Sequence, residues 1–131
     1  AYIKQAFVNI ALIPDGGLNW LLTRTVGYRL AYQMAIEGNN VSAKRCLELG
    51  LANKVVPHDQ LMHASLKWAE SLSKKSSQSL RETKRVMRMA MTNDYESVFE
   101  QEAEANNTLH GSKDSLEAIQ AFFEKREPNF D

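Results

Sequence analysis

The 131-residue sequence predicts a mainly α protein with one or two short strands near its beginning. Apolar residues recur at helical spacing through most of the chain after residue 28. Only residues 2–10, with a turn near Lys4-Gln5, and residues 53–56 have the composition of strands. Since a strand needs partners, we expect the sheet that contains residues 2–10 to lie mostly outside this chain.

The composition excludes several classes of function. Lys plus Arg and Asp plus Glu both number 16, so the balanced charge indicates neither a nucleic acid nor an anionic membrane surface as partner. The single cysteine, Cys46, excludes an internal disulfide and is expected to be buried filler. No apolar run approaches the roughly 20 residues that span a bilayer. These features favour a protein of the cytoplasm or of an organelle matrix.

Residues 9–20, with the sequence NIALIPDGGLNW, predict a strand-to-helix corner that carries one acid. The apolar run 10–13 is expected to be buried. Pro14 and the pair Gly16-Gly17 then end the strand, since proline lacks a backbone donor and glycine allows angles that side chains forbid. Asp15 stands where a helix beginning at Gly16 or Gly17 would have its N-cap.

Two interpretations of Asp15 remain open from the sequence. In one, its side chain accepts hydrogen bonds from the free N–H groups of the helix start. In the other, the carboxylate faces a pocket lined by Leu18 and Trp20, where loss of water suits it to proton transfer. Only the geometry of the corner decides between them.

The remaining helices are predicted from their end signals and apolar stripes. In the first half, Gly27 ends one short helix, Gly38 ends a second over 28–37, and Ser42 begins a third, in which Leu47 and Leu49 are expected to be buried. The second half carries longer helices over 57–74, 76–91 and 112–126, and one that begins at Asn93 with Glu96 completing a capping box and ends at Gly111. The predicted domains are 1–56, with the corner and short helices, and 57–131, a helical region.

The last helix separates two apolar faces. Leu116, Ile119 and Phe123 fall at i, i+3 and i+7 and are expected to face the core. Phe122 and Lys125 lie on another face, which suits either a phosphorylated ring ligand or a subunit interface, and the residues alone favour the interface.

No other cluster predicts chemistry. The basic helix face formed by Arg81, Lys84, Arg85 and Arg88 is interpreted as solvated. The three histidines are scattered and the five methionines share no spacing with His or Cys, so no metal site is predicted. Gly16-Gly17 lack the third glycine of a dinucleotide fingerprint, so no nucleotide cofactor is predicted either.

An ordered set of short motifs nevertheless resembles a known family. The motifs are IALIPDGG at 10–17, WLLTRTVG at 20–27, LGLA at 49–52, VVP at 55–57 and AFFEKR at 121–126, with Gly38, Ser42-Ala43 and Thr83-Lys84 between them. In this order and at these separations they resemble the carboxyl-terminal half of enoyl-CoA hydratase/isomerase, the crotonase family. The resemblance covers essentially the whole chain.

The resemblance implies a crotonase-like fold and an acyl-CoA substrate. Residues 1–56 would be the end of a β-spiral core, and 57–131 a helical region that mediates assembly into a trimer or a dimer of trimers. Coenzyme A would be part of the substrate, so no separate cofactor is implied. The family's oxyanion hole, two backbone N–H groups that stabilise an enolate, would lie in the half that this chain lacks. Residues 1–131 alone are therefore expected to be inactive.

The resemblance also implies roles for single residues. The second glutamate of the hydratases falls at Phe7, which cannot transfer a proton, although Asn9 or Asp15 would be the residues to compensate. Family members that move a double bond often carry an acid at the position of Asp15, so isomerisation is slightly preferred over hydration. Phe7 and Trp20 would belong to the acyl pocket. Phe122 and Lys125 match positions that approach the adenine and phosphates of coenzyme A. The alternative is a non-catalytic oligomerisation or binding module.

Overall fold

The computed structural model describes residues 1–130 and confirms a mainly α protein with two short strands in that part of the chain. The chain divides into two compact units, Ala1–Gln60 and a second that begins at Leu61. The first contains β1 (Tyr2–Lys4), a 3-10 helix (Ala6–Ile10), α1 (Leu18–Val26), α2 (Tyr28–Glu37), β2 (Asn40–Ser42), α3 (Ala43–Glu48) and a 3-10 helix (His58–Gln60). The second contains α4 (Leu61–Ser73), α5 (Ser77–Met89), α6 (Tyr95–Leu109) and α7 (Lys113–Glu124). Asp131, the last residue of the predicted region 57–131, lies outside the described residues.

The two strands pair antiparallel, with Ile3 opposite Val41. Two expectations were wrong here: the strand predicted over 2–10 ends at residue 4, and residues 53–56 form no strand. β1 also has one partner inside this chain, β2, which the sequence did not predict. β2 escaped prediction because Val41 is its one apolar residue, which leaves no alternation to detect.

The core of the first unit forms between α1 and α2. Leu22, Ala31 and Met34 are buried there, and Val41 and Leu51 pack against them. Gly27 and Gly38 end the two helices as predicted. Gly38 is required at its position because its φ is +59° and a Cβ would lie 3.1 Å from Asn9 Oδ1.

Cys46 is buried, as predicted, with 2% of its surface exposed. By contrast, several apolar residues predicted to be buried are exposed: Ile10 by 68%, Leu12 by 58%, Ile13 by 77% and Leu47 by 44%. These residues are apolar, but within residues 1–130 no helix or strand covers their side chains.

Three helices of the second unit, α5, α6 and α7, begin at side-chain caps. The hydroxyl oxygens of Ser76 and Ser112 accept hydrogen bonds from backbone N–H groups three residues later. The capping box predicted from Asn93 and Glu96 is wrong by one residue, because Asp94 is the N-cap and accepts from Ser97 N at 2.8 Å.

The apolar face predicted for the last helix is not buried in the second unit. Leu116, Ile119 and Phe123 are 58%, 46% and 77% exposed, whereas Ala121 is fully buried. The small side chain of Ala121 allows close packing on its own side of α7. The larger residues have no cover in the described part of the unit. None of the helices described over residues 1–130 is long and apolar enough to cross a membrane.

Candidate functional site

Asp15 lies in a turn that places it before α1 but not in the capping position. Gly16 and Gly17 both have left-handed backbones, with φ of 62° and 85°. The Asp15 carbonyl accepts a hydrogen bond from Leu18 N at 3.0 Å, and α1 begins there with Gly17 as its N-cap. No side chain caps this helix. The capping interpretation is therefore wrong, because the two glycines move the helix start away from the carboxylate.

The Asp15 carboxylate is exposed and uncommitted. Among residues 1–130 it has no hydrogen-bond or ion-pair partner. The corner itself is held by other groups, since the side-chain amide of Asn19 donates to the Pro14 carbonyl. An acid that spends none of its lone pairs on the fold is free to act on a bound molecule.

Trp20 and Phe7 take different positions around this corner. Trp20 is 38% exposed, and the Arg24 guanidinium lies 3.9 Å from the centre of its ring. Phe7 is half-buried in the first 3-10 helix. It offers an apolar surface and no group that transfers protons.

A cavity of about 180 Å³ lies beside the corner within the first unit. Pro14 and Leu18, on either side of Asp15, line it together with Leu22 and the stacked rings of Tyr28 and Tyr32. Asp15, Phe7 and Trp20 do not line it. Gln5 also lines the cavity and is 2% exposed, and its Oε1 has no hydrogen-bond donor among residues 1–130. No pattern in the sequence predicts this cavity.

In the second unit, Phe122 and Lys125 lie at the exposed end of α7. Phe122 is 78% exposed and meets Phe123 edge to face, with ring centres 5.8 Å apart. Lys125 is the C-cap and has a left-handed backbone, with φ of 55°. Lys125 N donates to the Phe122 carbonyl and Arg126 N to the Ala121 carbonyl. This is a Schellman motif in which lysine holds the place usually given to glycine.

Arg126 anchors the residues around this cap. Its Nη1 and Nη2 donate to the two Glu117 carboxylate oxygens at 2.6 and 3.0 Å, and its Nε donates to Glu124 Oε2 at 2.6 Å. Asn129 N also donates to Glu117, at 2.8 Å. The hydrogen bonds from Arg126, and then that from Asn129, lower the pKa of Glu117 from its ordinary value of 4.5 to about 2. No sequence pattern predicts this cluster, because Glu117 and Arg126 are nine positions apart and no helix rule links them.

Other candidate residues carry less. Arg81, Lys84 and Arg88 are exposed around one shallow depression of α5, while Arg85 donates to Glu82 and to Gln101 of α6. No group of three or more potential metal ligands occurs among residues 1–130.

Comparisons with known proteins match the entire chain. The family model for enoyl-CoA hydratase/isomerase matches residues 1–131. Trans-2-decenoyl-[acyl-carrier-protein] isomerase of Streptococcus mutans is 32% identical over 126 residues, which are 96% of this chain and 48% of the relative. The 1,2-epoxyphenylacetyl-CoA isomerase of Escherichia coli K12 is also 32% identical, over 99% of this chain and 50% of the relative.

Solved structures agree with the sequence relatives. The crystal structure of an enoyl-CoA hydratase from Polaromonas sp. JS666 superposes with a TM-score of 0.95 at 27% identity, over 100% of this chain and 51% of that one. The chain therefore spans about half the length of the relatives it matches, and its helices correspond to the carboxyl-terminal helical region of the crotonase fold. From its sequence, its fold and the match over its full extent, the chain belongs to the enoyl-CoA hydratase/isomerase family.

Proposed function

We propose that the protein of which this chain is part moves the double bond of an enoyl thioester of coenzyme A, with Asp15 as the acid that carries the proton. One observation supports this most: Asp15 is an exposed carboxylate with no partner among residues 1–130. By the family resemblance, the second hydratase acid falls at Phe7, which cannot transfer a proton. Addition of water uses two acids, and one of them is missing where Phe7 stands. A double-bond shift needs a single acid that takes a proton and returns it.

In this reaction, Asp15 removes a proton from C2 of a 3-enoyl thioester. The electrons of that C–H bond form a C1–C2 double bond, and the carbonyl π electrons move onto the thioester oxygen, which gives a dienolate that keeps its C3–C4 double bond. Asp15 then returns the proton to C4: the C3–C4 π electrons bond the proton, the C1–C2 electrons form the C2–C3 double bond, and the oxygen electrons restore the carbonyl. The product is the 2-enoyl thioester. Donors to the thioester oxygen are needed to stabilise the dienolate. By the family resemblance they lie outside residues 1–131, so these residues alone are expected to be inactive.

The coenzyme A portion of the substrate is proposed to bind at the end of α7. The exposed ring of Phe122 suits stacking on adenine, and the ammonium group of Lys125 suits a phosphate. The exposed apolar face of α7 supports assembly of the complete protein into trimers, in which a neighbouring subunit covers that face. Acyl binding is assigned to Phe7 and Trp20.

Product analysis in ¹⁸O-labelled water tests the reaction type. The full-length protein is given a 3-enoyl-CoA, and separately a 2-enoyl-CoA, and the products are identified by mass spectrometry. We expect interconversion of the two enoyl forms without ¹⁸O, since isomerisation adds no water. A labelled 3-hydroxyacyl-CoA as the main product would contradict isomerisation and indicate hydration.

The alternative, a non-catalytic oligomerisation or binding module, predicts a different result in the same experiment. Neither thioester would change. Calorimetry on the full-length protein would then separate the two forms of the alternative: an acyl-CoA binding module would release or absorb heat on titration, and a pure oligomerisation module would not.

A further inference from the structure

The ion pairs of Arg126 lie next to Lys125, the residue directly after α7, whose backbone conformation is costly. Among residues 1–130, six glycines have positive φ, and Ala11 and Lys125 are the only residues with a side chain that do. Such conformations persist where the surrounding structure enforces them, and they concentrate at functional sites. The left-handed backbone of Lys125 therefore needs two explanations: which contacts enforce it, and why the residue at this position is lysine and not glycine.

The structural cause is on the next residue. Arg126 donates two parallel hydrogen bonds to Glu117, about two turns before the end of α7, and a third to Glu124, directly before Lys125. The paired fork fixes the guanidinium in both distance and direction, which a single contact would not. Asn129 N closes the far side by donating to the same Glu117 carboxylate. The backbone of Lys125 therefore lies between residues that are held by hydrogen bonds on both sides of it in sequence.

The side chain of Lys125 has no such restraint. Among residues 1–130 it takes part in no hydrogen bond or ion pair, and it is exposed. Its two acidic neighbours, Glu117 and Glu124, are both occupied by Arg126. Without Arg126, both carboxylates would lose their cationic partner and would be available to another cation of this segment, such as the lysine ammonium. Arg126 thus both holds the backbone and removes the competing anions.

We propose that Arg126 is a positioning residue: by binding Glu117 and Glu124 it fixes the left-handed cap and keeps the Lys125 ammonium free for a phosphate of coenzyme A. This rests on the proposed role of Lys125, and it adds a residue that does not itself touch the ligand. The terminal phosphate of the nucleotide is the expected target, because a phosphate monoester carries nearly two negative charges near neutral pH.

Binding measurements test the proposal without requiring turnover. Calorimetry on the full-length protein gives the dissociation constants for coenzyme A and for 3′-dephospho-coenzyme A, which lacks that phosphate. We expect the wild-type protein to prefer coenzyme A about tenfold, the order of one charge-assisted contact. Lys125→Gln is expected to abolish the preference.

Arg126→Gln is the decisive variant. Arg126→Gln alone should reduce the preference for coenzyme A over 3′-dephospho-coenzyme A by at least about threefold. In the Lys125→Gln background, the same substitution should change the ratio of the two dissociation constants by less than about twofold, because the effects of coupled residues are not additive. Arg88→Gln is the matched control, because it removes an exposed arginine of α5 whose side chain has no hydrogen-bonded partner among residues 1–130. It should leave the preference unchanged.

The opposite results overturn the proposal. If Arg126→Gln lowers the affinity for coenzyme A and for 3′-dephospho-coenzyme A equally, Arg126 has only a structural role. If it lowers neither affinity, Arg126 has no role in binding. An unchanged ratio in Lys125→Gln would leave nothing to position and would overturn it as well. Should Arg126→Gln fail to fold, Glu117→Gln provides the same test with a neutral acceptor. A normal preference for coenzyme A without isomerase turnover would contradict the proposed reaction alone.

Discussion

Lys125 and Asp15 each contribute less to stability than another arrangement at the same position would, and each has a charged side chain without a partner among residues 1–130. Lys125 holds a left-handed backbone that costs a residue with a side chain roughly 1–2 kcal/mol. Asp15 stands next to a helix start but forms none of the capping bonds that would stabilise it. The strand-to-helix corner pointed to Asp15 from the residues alone, and the family resemblance then suggested its role and that of Lys125. Of the two interpretations left open for Asp15, capping is wrong, because the left-handed angles that Gly16 and Gly17 adopt here are not fixed by residue type alone.

Substituting Lys125 by glycine should separate these two effects. Glycine adopts the left-handed conformation freely, so we expect Lys125→Gly to raise the free energy of unfolding by about 0.5–1 kcal/mol. Affinity for coenzyme A should fall in the same variant, since the ammonium group is lost. Chemical denaturation and calorimetry on the full-length protein measure the two quantities.

Ala11→Gly is the control for that substitution. Ala11 is the other residue with a side chain and a positive φ, and it ends the first 3-10 helix. The change should stabilise the fold without altering affinity for coenzyme A. Loss of stability in Lys125→Gly would contradict the view that lysine is retained at the cap for binding.

At the scale of elements, helix ends were the most predictable features and strands the least. Gly27, Gly38, Ser42 and Ser112 each mark a boundary that the structure confirms, because caps are local and depend on residue type. β2 was missed because a three-residue strand is defined by its partner, and the partner is 36 residues or more away in sequence. The boundary at Asn93 shifted by one residue because Asp94 is an equally good cap.

The cap of α5 offers a test at this scale. Ser76 is buried, and its hydroxyl accepts from Ser79 N at 3.3 Å. Ser76→Ala should lower the free energy of unfolding by about 1 kcal/mol, since a helix N–H loses its acceptor. Ser73→Ala, at the exposed end of α4, should change it by less than about 0.5 kcal/mol. Equal effects of the two substitutions on denaturation curves would contradict a capping role for Ser76.

For the molecule as a whole, the exposed apolar residues mark what the sequence could not supply. The period of residues such as Leu116 and Phe123 shows which face of a helix is apolar, but it does not show what covers that face. Both are exposed in the second unit, as Ile10 and Ile13 are in the first. The chain spans about half the length of its relatives. We therefore expect the surfaces that complete the site and cover the exposed apolar residues to belong to the complete protein.

Asp15 is the residue on which the proposed isomerisation depends most, because it is the acid that moves the proton. We expect Asp15→Asn in the full-length protein to lower kcat for isomerisation by about 10²–10⁴-fold, the usual contribution of a positioned acid or base. Its denaturation curve and its affinity for coenzyme A should be unchanged, because the Asp15 side chain supports no contact within residues 1–130. Asp59→Asn, an exposed acid of the same unit, should retain full activity. An Asp15→Asn variant with kcat within about twofold of the wild type would contradict the central claim.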